Sequence, residues 1–175
     1  MAERLIRKIG DPVLREKCQP VREVTPNIAR LLDDLAATIY GGDNRAGLAA
    51  PQVGIAKRVA VLDYDGSGLI ELINPVIVER SGKQSGHESC LSIPGAYGLV
   101  KRSQYVKVMT WDREGKETFV EGRGDLAICL QHEIDHLDGV LYIDHVKPGE
   151  LFSEHDGKSM DVFQMIRLSR SGSGR

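Results

Sequence analysis

Residues 130–136 read LQHEIDH, and this short run restricts the fold more than any other stretch of the chain. It contains His-Glu-x-x-His, a spacing that has chemical meaning only on a helix. Residues four apart share one helical face, so His132 and His136 stand roughly 6 Å apart along the axis and can converge on one ion. Glu133 follows the first histidine and can lie beside that ion without ligating it, placed to take a proton from an activated water. Asp125 near the start, Gly139 near the end and apolar residues at Leu126, Ile128, Cys129 and Leu137 predict a largely buried helix. Buried imidazoles and a buried carboxylate need partners, which a metal would supply. Two histidines cannot hold a catalytic metal alone, so the fold must bring a third ligand from elsewhere.

The rest of the chain shows what could carry it. Thr25 caps and Pro26 starts a helix whose apolar face is Ile28, Leu31, Leu32, Leu35 and Ile39, ended by Gly41-Gly42. "DPVLREKC" reads as a shorter helix capped by Asp11. From Arg58 to about Glu121 the period becomes that of strands, in "RVAVLD", "LIELIN", "PVIVER", "YVKVMTW" and "ETFVEG". Turn clusters such as "DGSG" and "SGKQSG" separate them, and no helix intervenes, which argues for antiparallel pairing. "KSMDVFQMIRLSR" predicts a terminal amphipathic helix. The expected class is α+β: antiparallel sheets packed around a central helix bearing the histidines, with N-terminal and C-terminal helices. One catalytic domain over residues 1–170 and a disordered tail over 171–175 are expected.

With 41% hydrophobic and 27% charged residues in 175, the chain has the make-up of an ordinary soluble domain. A net charge of −2 gives no general attraction to nucleic acid or an anionic membrane. No signal peptide or membrane span is apparent, and Cys18, Cys90 and Cys129 are an odd set. Free or metal-bound thiols in a reducing cytoplasm, or in an organelle matrix or stroma, are expected.

Two downstream sources of the third ligand are known for such helices. In the pattern H-E-x-x-H-x-x-G-x-x-H, Gly139 fits but the last position is Tyr142, and a phenol replaces imidazole poorly. A carboxylate from a later segment remains open, with Glu150, Glu154 and His155 in range. Upstream stands Cys90 in "HESCLSIPG", although a lone cysteine is more often a small buried hydrophobe.

Three stretches in order, "GLAAPQ" at 47–52, "ESCLSIPG" at 88–95 and "QHEIDHLDG" at 131–139, resemble the signatures of the peptide deformylase family. Those are G-φ-G-φ-A-A-P-Q, E-G-C-L-S and Q-H-E-x-D-H-L. The third matches at every fixed position, the second at all but one, and the first at all but its opening glycine. The resemblance implies that Cys90, His132 and His136 hold one divalent metal, ferrous iron in the cell with Zn2+, Ni2+ or Co2+ accepted. It implies hydrolysis of the N-formyl group of formyl-methionyl nascent polypeptides, with Glu133 moving the proton. Gln52 and the backbone N–H of Leu91 match the family's oxyanion donors. Gly47 and Ser89 match positions that bind substrate backbone, and Ile128 and Cys129 match part of a methionine pocket. Glu88 and Arg102 match a bracing ion pair, while Gln131 and Asp135 flank the ligands. A monomer without membrane attachment is expected. Arg167 and Arg170 are candidates for a transient ribosome contact, for which a solvated helix face is the commoner explanation. Arg45 and Ala46 depart from the family pattern, as does Ser89, which replaces a glycine, and all three bear on the shape of the substrate cleft.

The competing ligand sets separate cleanly. We expect Cys90→Ala to lose tight divalent-metal binding and the joint replacement of Glu154 and His155 to keep it. Metal analysis of the purified variants checks both, and the reverse result would point to a zinc endopeptidase using Glu154 or His155 as its third ligand.

Overall fold

The computed structural model describes residues 2–64 and 66–171. Its helices are α1 (Pro26–Tyr40), α2 (Asp125–Leu137) and α3 (Val162–Ser171). Its strands are β1 (Gly47–Ala49), β2 (Val59–Leu62), β3 (Ile70–Ile73), β4 (Val76–Ser81), β5 (Gln84–Cys90), β6 (Ile93–Arg102), β7 (Tyr105–Trp111), β8 (Glu117–Arg123) and β9 (Leu151–Ser153). They form three antiparallel sheets, ordered β1-β2-β3, β4-β7-β8 and β5-β6-β9. Helices and antiparallel sheets mix as the sequence predicts.

β2 shows how the core is built. Its four residues Val-Ala-Val-Leu are all buried, because both faces of this middle strand are covered. Val59 and Val61 point into a core shared with Leu31, Leu32, Leu35 and Ile39 of α1. Ala60 and Leu62 point the other way, into a core shared with Ala127, Leu130, Ile134 and Leu137 of α2. Period-2 alternation therefore sandwiches one strand between two helices. α2 also packs on β1, β7 and β8. Gly122 of β8 makes the close approach feasible, since a Cβ there would lie 2.6 Å from Leu130 Cδ1 and 3.1 Å from the backbone N of Ala127. A third core joins Leu14, Cys90, Ile93, Val100, Tyr142 and Met165 beneath β5, β6 and α3.

The caps behave as their residues dictate. Thr25 accepts from the N–H of Ile28 at 3.4 Å, and Pro26 opens α1. Asp11 accepts from Val13 N at 3.1 Å, but the segment is a single 3-10 turn, Pro12–Arg15, because Glu16 is already extended. "SGKQSG", expected as a turn, contributes its second half to β5. Ile93-Pro94-Gly95, whose Pro-Gly pair predicts a turn, belongs instead to β6, and the reversal falls at Leu91-Ser92. On α3, Met165 and Ser169 are buried while Arg167 and Arg170 are exposed. Ser171 ends this helix, and the remainder of the expected tail, 172–175, lies outside the described residues.

The N-terminal segment has no regular structure, yet it is tied down. Asp34 of α1 accepts from Ala2 N at 2.8 Å and from Arg4 Nη2 at 2.6 Å, and Thr38 Oγ1 accepts from Arg4 N at 2.9 Å. The Ala2 N–H first, against the cost of burial, and then Arg4 hold the Asp34 carboxyl below its usual range. A depressed folded pKa means that this contribution is complete above about pH 4 and is lost as pH falls through the folded value. Asp34→Asn should therefore destabilise the protein at pH 7 by about 1–2 kcal/mol. In urea denaturation, the gap to wild type should close below about pH 4. A gap independent of pH would show that the carboxylate charge is not its source.

Candidate active site

α2 carries His132, Glu133 and His136 toward the end of β5, where Cys90 stands. The two imidazole rings lie 4.9 Å apart between centroids, crossed at 74°. Cys90 Sγ is 3.4 Å from His136 Nε2. One ligand atom from each of Cys90, His132 and His136 falls within 4.8 Å of the others, and among the described residues no other His, Cys, Asp or Glu group does this. The group that could serve as a third ligand beside the two histidines is thus a thiol on a neighbouring strand. Glu154 borders the same cleft without joining the cluster. Tyr142 is buried, donates its hydroxyl to Ala96 O at 3.2 Å, and lays its ring nearly parallel to that of His132. It buttresses His132 and stays outside the cluster.

The donor set suits a divalent metal. A thiolate with two neutral imidazoles is a borderline-soft set. Burial first, then the neighbouring His132, pushes His136 well below the usual imidazole value, toward the neutral form that binds metal. His132 Nδ1 lies 2.8 Å from Glu88 Oε1, and a proton on Nδ1 shared with that carboxylate leaves Nε2 bare for the ion. Glu133 is buried beside the cluster with Oε2 lacking any hydrogen-bond partner. That orphaned oxygen suits a water or substrate atom held at the site. Burial raises its carboxyl to about 7, so without further positive charge it holds a proton near neutrality.

Glu88 is fixed from two sides. Arg102 clasps it with Nε at 2.8 Å and Nη2 at 2.9 Å, and His132 takes the same Oε1 that Nη2 does. Burial works to raise this carboxyl, yet Arg102 and His132 outweigh it and hold it at about 2. Arg102 continues to Asp135 at 2.6 Å, which also meets His145 Nε2 at 2.8 Å. Asp135 therefore reaches the ligands only through Arg102. Gln131 points elsewhere, bonding both backbone groups of Ser103 and locking α2 to the end of β6.

Gln52 Oε1 accepts from Ala49 N at 2.9 Å, which aims its amide NH2 at Ser92 Oγ, 3.1 Å away, and Cys90 Sγ, 3.4 Å away. Leu91 sits on the reversal between β5 and β6. Both border a cleft of about 680 Å3 whose floor includes Cys90, His132 and Glu133. Gly47 and Ser89 both line it, on β1 and β5, each the edge strand of its sheet. Ile128 and Cys129 line the same cleft, and burial followed by Glu133 pushes the Cys129 thiol up to about 12, leaving it neutral. The sequence-derived site residues on the cleft thus converge; Ser92 lies in the second signature but was given no role, and Lys8 and His145, with no motif around them, were not foreseen.

The family profile described as polypeptide deformylase matches residues 3–151. The chain belongs to the peptide deformylase family. A peptide deformylase of Desulfitobacterium hafniense is 54% identical over 147 residues, 84% of this chain and 97% of that protein. One from Caldanaerobacter subterraneus subsp. tengcongensis is 56% identical over 146 residues, 83% of this chain and 91% of that protein. Among solved structures, the Legionella pneumophila peptide deformylase superposes with a TM-score of 0.81 at 36% identity, covering 97% of this chain and 92% of that one. The Thermotoga maritima enzyme gives 0.80 at 38% identity, covering 85% and 100%.

Of the departures from the deformylase pattern, Arg45, Ala46 and Ser89 all line the cleft, and Arg45 donates to Thr38 O at 2.6 Å. Gly47 is retained, and the packing gives a reason. A Cβ there would stand 2.6 Å from Glu133 Oε1 and 3.0 Å from its Cγ. Glu133 is too enclosed to swing aside. Gly47→Ala should lower deformylase activity roughly a hundredfold, the scale of an ångström's misplacement, while bound metal and Tm stay near wild type. Activity within threefold would mean that the carboxylate has room to adjust.

Proposed function

We propose that the chain hydrolyses the N-formyl group of formyl-methionyl polypeptides, releasing formate and a free amine. The observation that carries this reading is the convergence of Cys90, His132 and His136, with Cys90, His132 and Glu133 lining a cleft bordered by two edge strands. Cys90, His132 and His136 would hold one divalent ion, which we assign as ferrous iron, with zinc, nickel or cobalt acceptable to the same donors. Bound there, it supplies Lewis acidity toward water and the formyl oxygen.

The chain's own groups do the rest. An extended substrate strand runs between Gly47 of β1 and Ser89 of β5, hydrogen-bonding to backbone as an added strand. Its methionine side chain rests on Ile128 and Cys129. Ala46, small at the cleft wall, leaves extra room for that side chain. The formyl oxygen lies toward the Gln52 amide and the Leu91 N–H, donors that gain strength as charge builds on it. Water oxygen bonds to the formyl carbon as Glu133 takes its proton. The C–N bond then breaks as Glu133 passes that proton to the leaving nitrogen. Glu88 and Arg102 keep His132 oriented throughout.

We further propose that residues 1–170 act as one catalytic domain with α2 as its axis, supported by the packing of α2 against β1, β2, β7 and β8. Cytoplasm, or an organelle compartment with its own translation, is where the substrate arises. No helix among the described residues is long and apolar enough to cross a membrane.

Anaerobically purified protein should release formate from formyl-Met-Ala-Ser. Glu133→Ala should keep its metal yet lose about 10²–10⁴-fold in rate. Absence of formate from the wild type would overturn the function; full activity of Glu133→Ala would overturn its proton-transfer role alone.

A further inference from the structure

We propose that Lys8 is a positioning residue for deformylation, holding the Leu91 segment by its carbonyl and bringing a positive charge to the oxyanion end of the cleft. The proposal rests on the function stated above, and nothing in the three signature motifs points to residue 8.

The N-terminal segment crosses the back of the site. Arg7 N donates to Gln52 O at 2.7 Å, Lys8 Nζ to Leu91 O at 2.8 Å, and Ile9 N to Ser92 O at 2.9 Å. Three consecutive residues therefore bind both segments that carry the oxyanion donors, and Gln52 Nε2 ties those segments to each other through Ser92 Oγ. Residues 2 and 4 are anchored on α1 by Asp34 and Thr38, so the strap is pinned at both ends. Backbone bonds from Arg7 and Ile9 need no particular side chain. Lys8 is the one link that does.

Its surroundings distinguish it from an ordinary surface lysine. The side chain is half-buried and borders both the catalytic cleft and a smaller hollow formed by Pro94, Ser153 and Leu168. No carboxylate forms an ion pair with it among the described residues. Of its titratable neighbours, Cys90 and Arg45 act on it most. Taking an ammonium partly out of water without a carboxylate costs free energy. That cost is offset when negative charge appears nearby. Deformylation creates such charge twice, on the tetrahedral oxyanion and on the formate that follows. A neutral formamide in the ground state draws little on the ammonium, so the interaction strengthens in the transition state and acts on kcat rather than KM. The Leu91 peptide, gripped at its carbonyl, keeps the preceding N–H aimed without reorganising.

The test compares Lys8→Met, Lys8→Gln and Lys8→Arg with wild type on formyl-Met-Ala-Ser, with inhibition by added sodium formate measured in parallel. Lys8→Met should lower kcat about tenfold with KM changed less than about twofold, and should weaken formate inhibition by a similar factor. Lys8→Arg should restore both, and Lys8→Gln, a donor without charge, should fall between. Arg7→Met, whose backbone bond to Gln52 survives, should match wild type. Metal content should be unchanged across the set. Should Lys8→Met fold poorly, Lys8→Gln carries the comparison. Wild-type kcat and formate inhibition in the methionine and glutamine variants would overturn the proposal. So would a loss explained by missing metal, or a rise in KM alone. Each result is scored against an active wild type, so a wild type that releases no formate refutes the parent function and is not confused with failure of Lys8.

Discussion

The Glu88 carboxylate, caught between Arg102 and His132, is the interaction on which the site depends. Its side chain and that of Arg102 are 4% and 5% exposed, so both charges have left water and are held by their hydrogen bonds to each other. Such a pair contributes little net stability against an apolar alternative, but breaking it at one partner typically costs about 3–5 kcal/mol, because a lone buried charge remains. What the pair provides is direction. Two strands, β5 and β6, carry Glu88 and Arg102, and the carboxylate they share tells one imidazole on α2 which way to face. The bidentate clasp resists rotation of Glu88, and Glu88 in turn resists rotation of His132.

The remaining geometry extends from that join. His136 approaches Cys90 from the next helical turn, and Tyr142 closes the other face of His132. Gln131 locks the helix to the β6 end by bonds to Ser103. Against this rigid frame, among the described residues, two buried side-chain atoms stay unpaired, Glu133 Oε2 and His136 Nδ1. The unmet side-chain hydrogen bonds of those residues are thus concentrated beside the chemistry.

The site was more legible in the sequence than the fold around it. His132, Glu133 and His136 follow from helical spacing alone, since a local period needs no knowledge of distant chain. Cys90 did not, because nothing in a lone cysteine says which segment it will face; the resemblance to a known family supplied it. The strands rich in β-branched and aromatic residues, β2, β4 and β7, were readable. β5 was only half readable, since Gln84, Ser85 and Gly86 have turn chemistry and become strand only by pairing with Val100, Lys101 and Arg102. Asp135 and Gln131 are neighbours on one helix with similar sequence signals, yet one joins the Arg102 relay and the other does not. Lys8 was invisible. Its meaning comes from a carbonyl eighty-three positions away.

The open edges of β1 and β5 have a consequence in time. On the strand-addition mode proposed above, a gap that admits one extended strand would accept a chain only while its first residues are loose. Once a nascent protein has committed its amino terminus to a helix, or paired it in a sheet of its own, it has no strand to lend. The cleft therefore sets a race between formyl removal and folding of the client, and a protein whose first element forms early leaves a shorter interval in which it can be served. Selection on such clients would act on how long their opening residues stay uncommitted as well as on which residues they are.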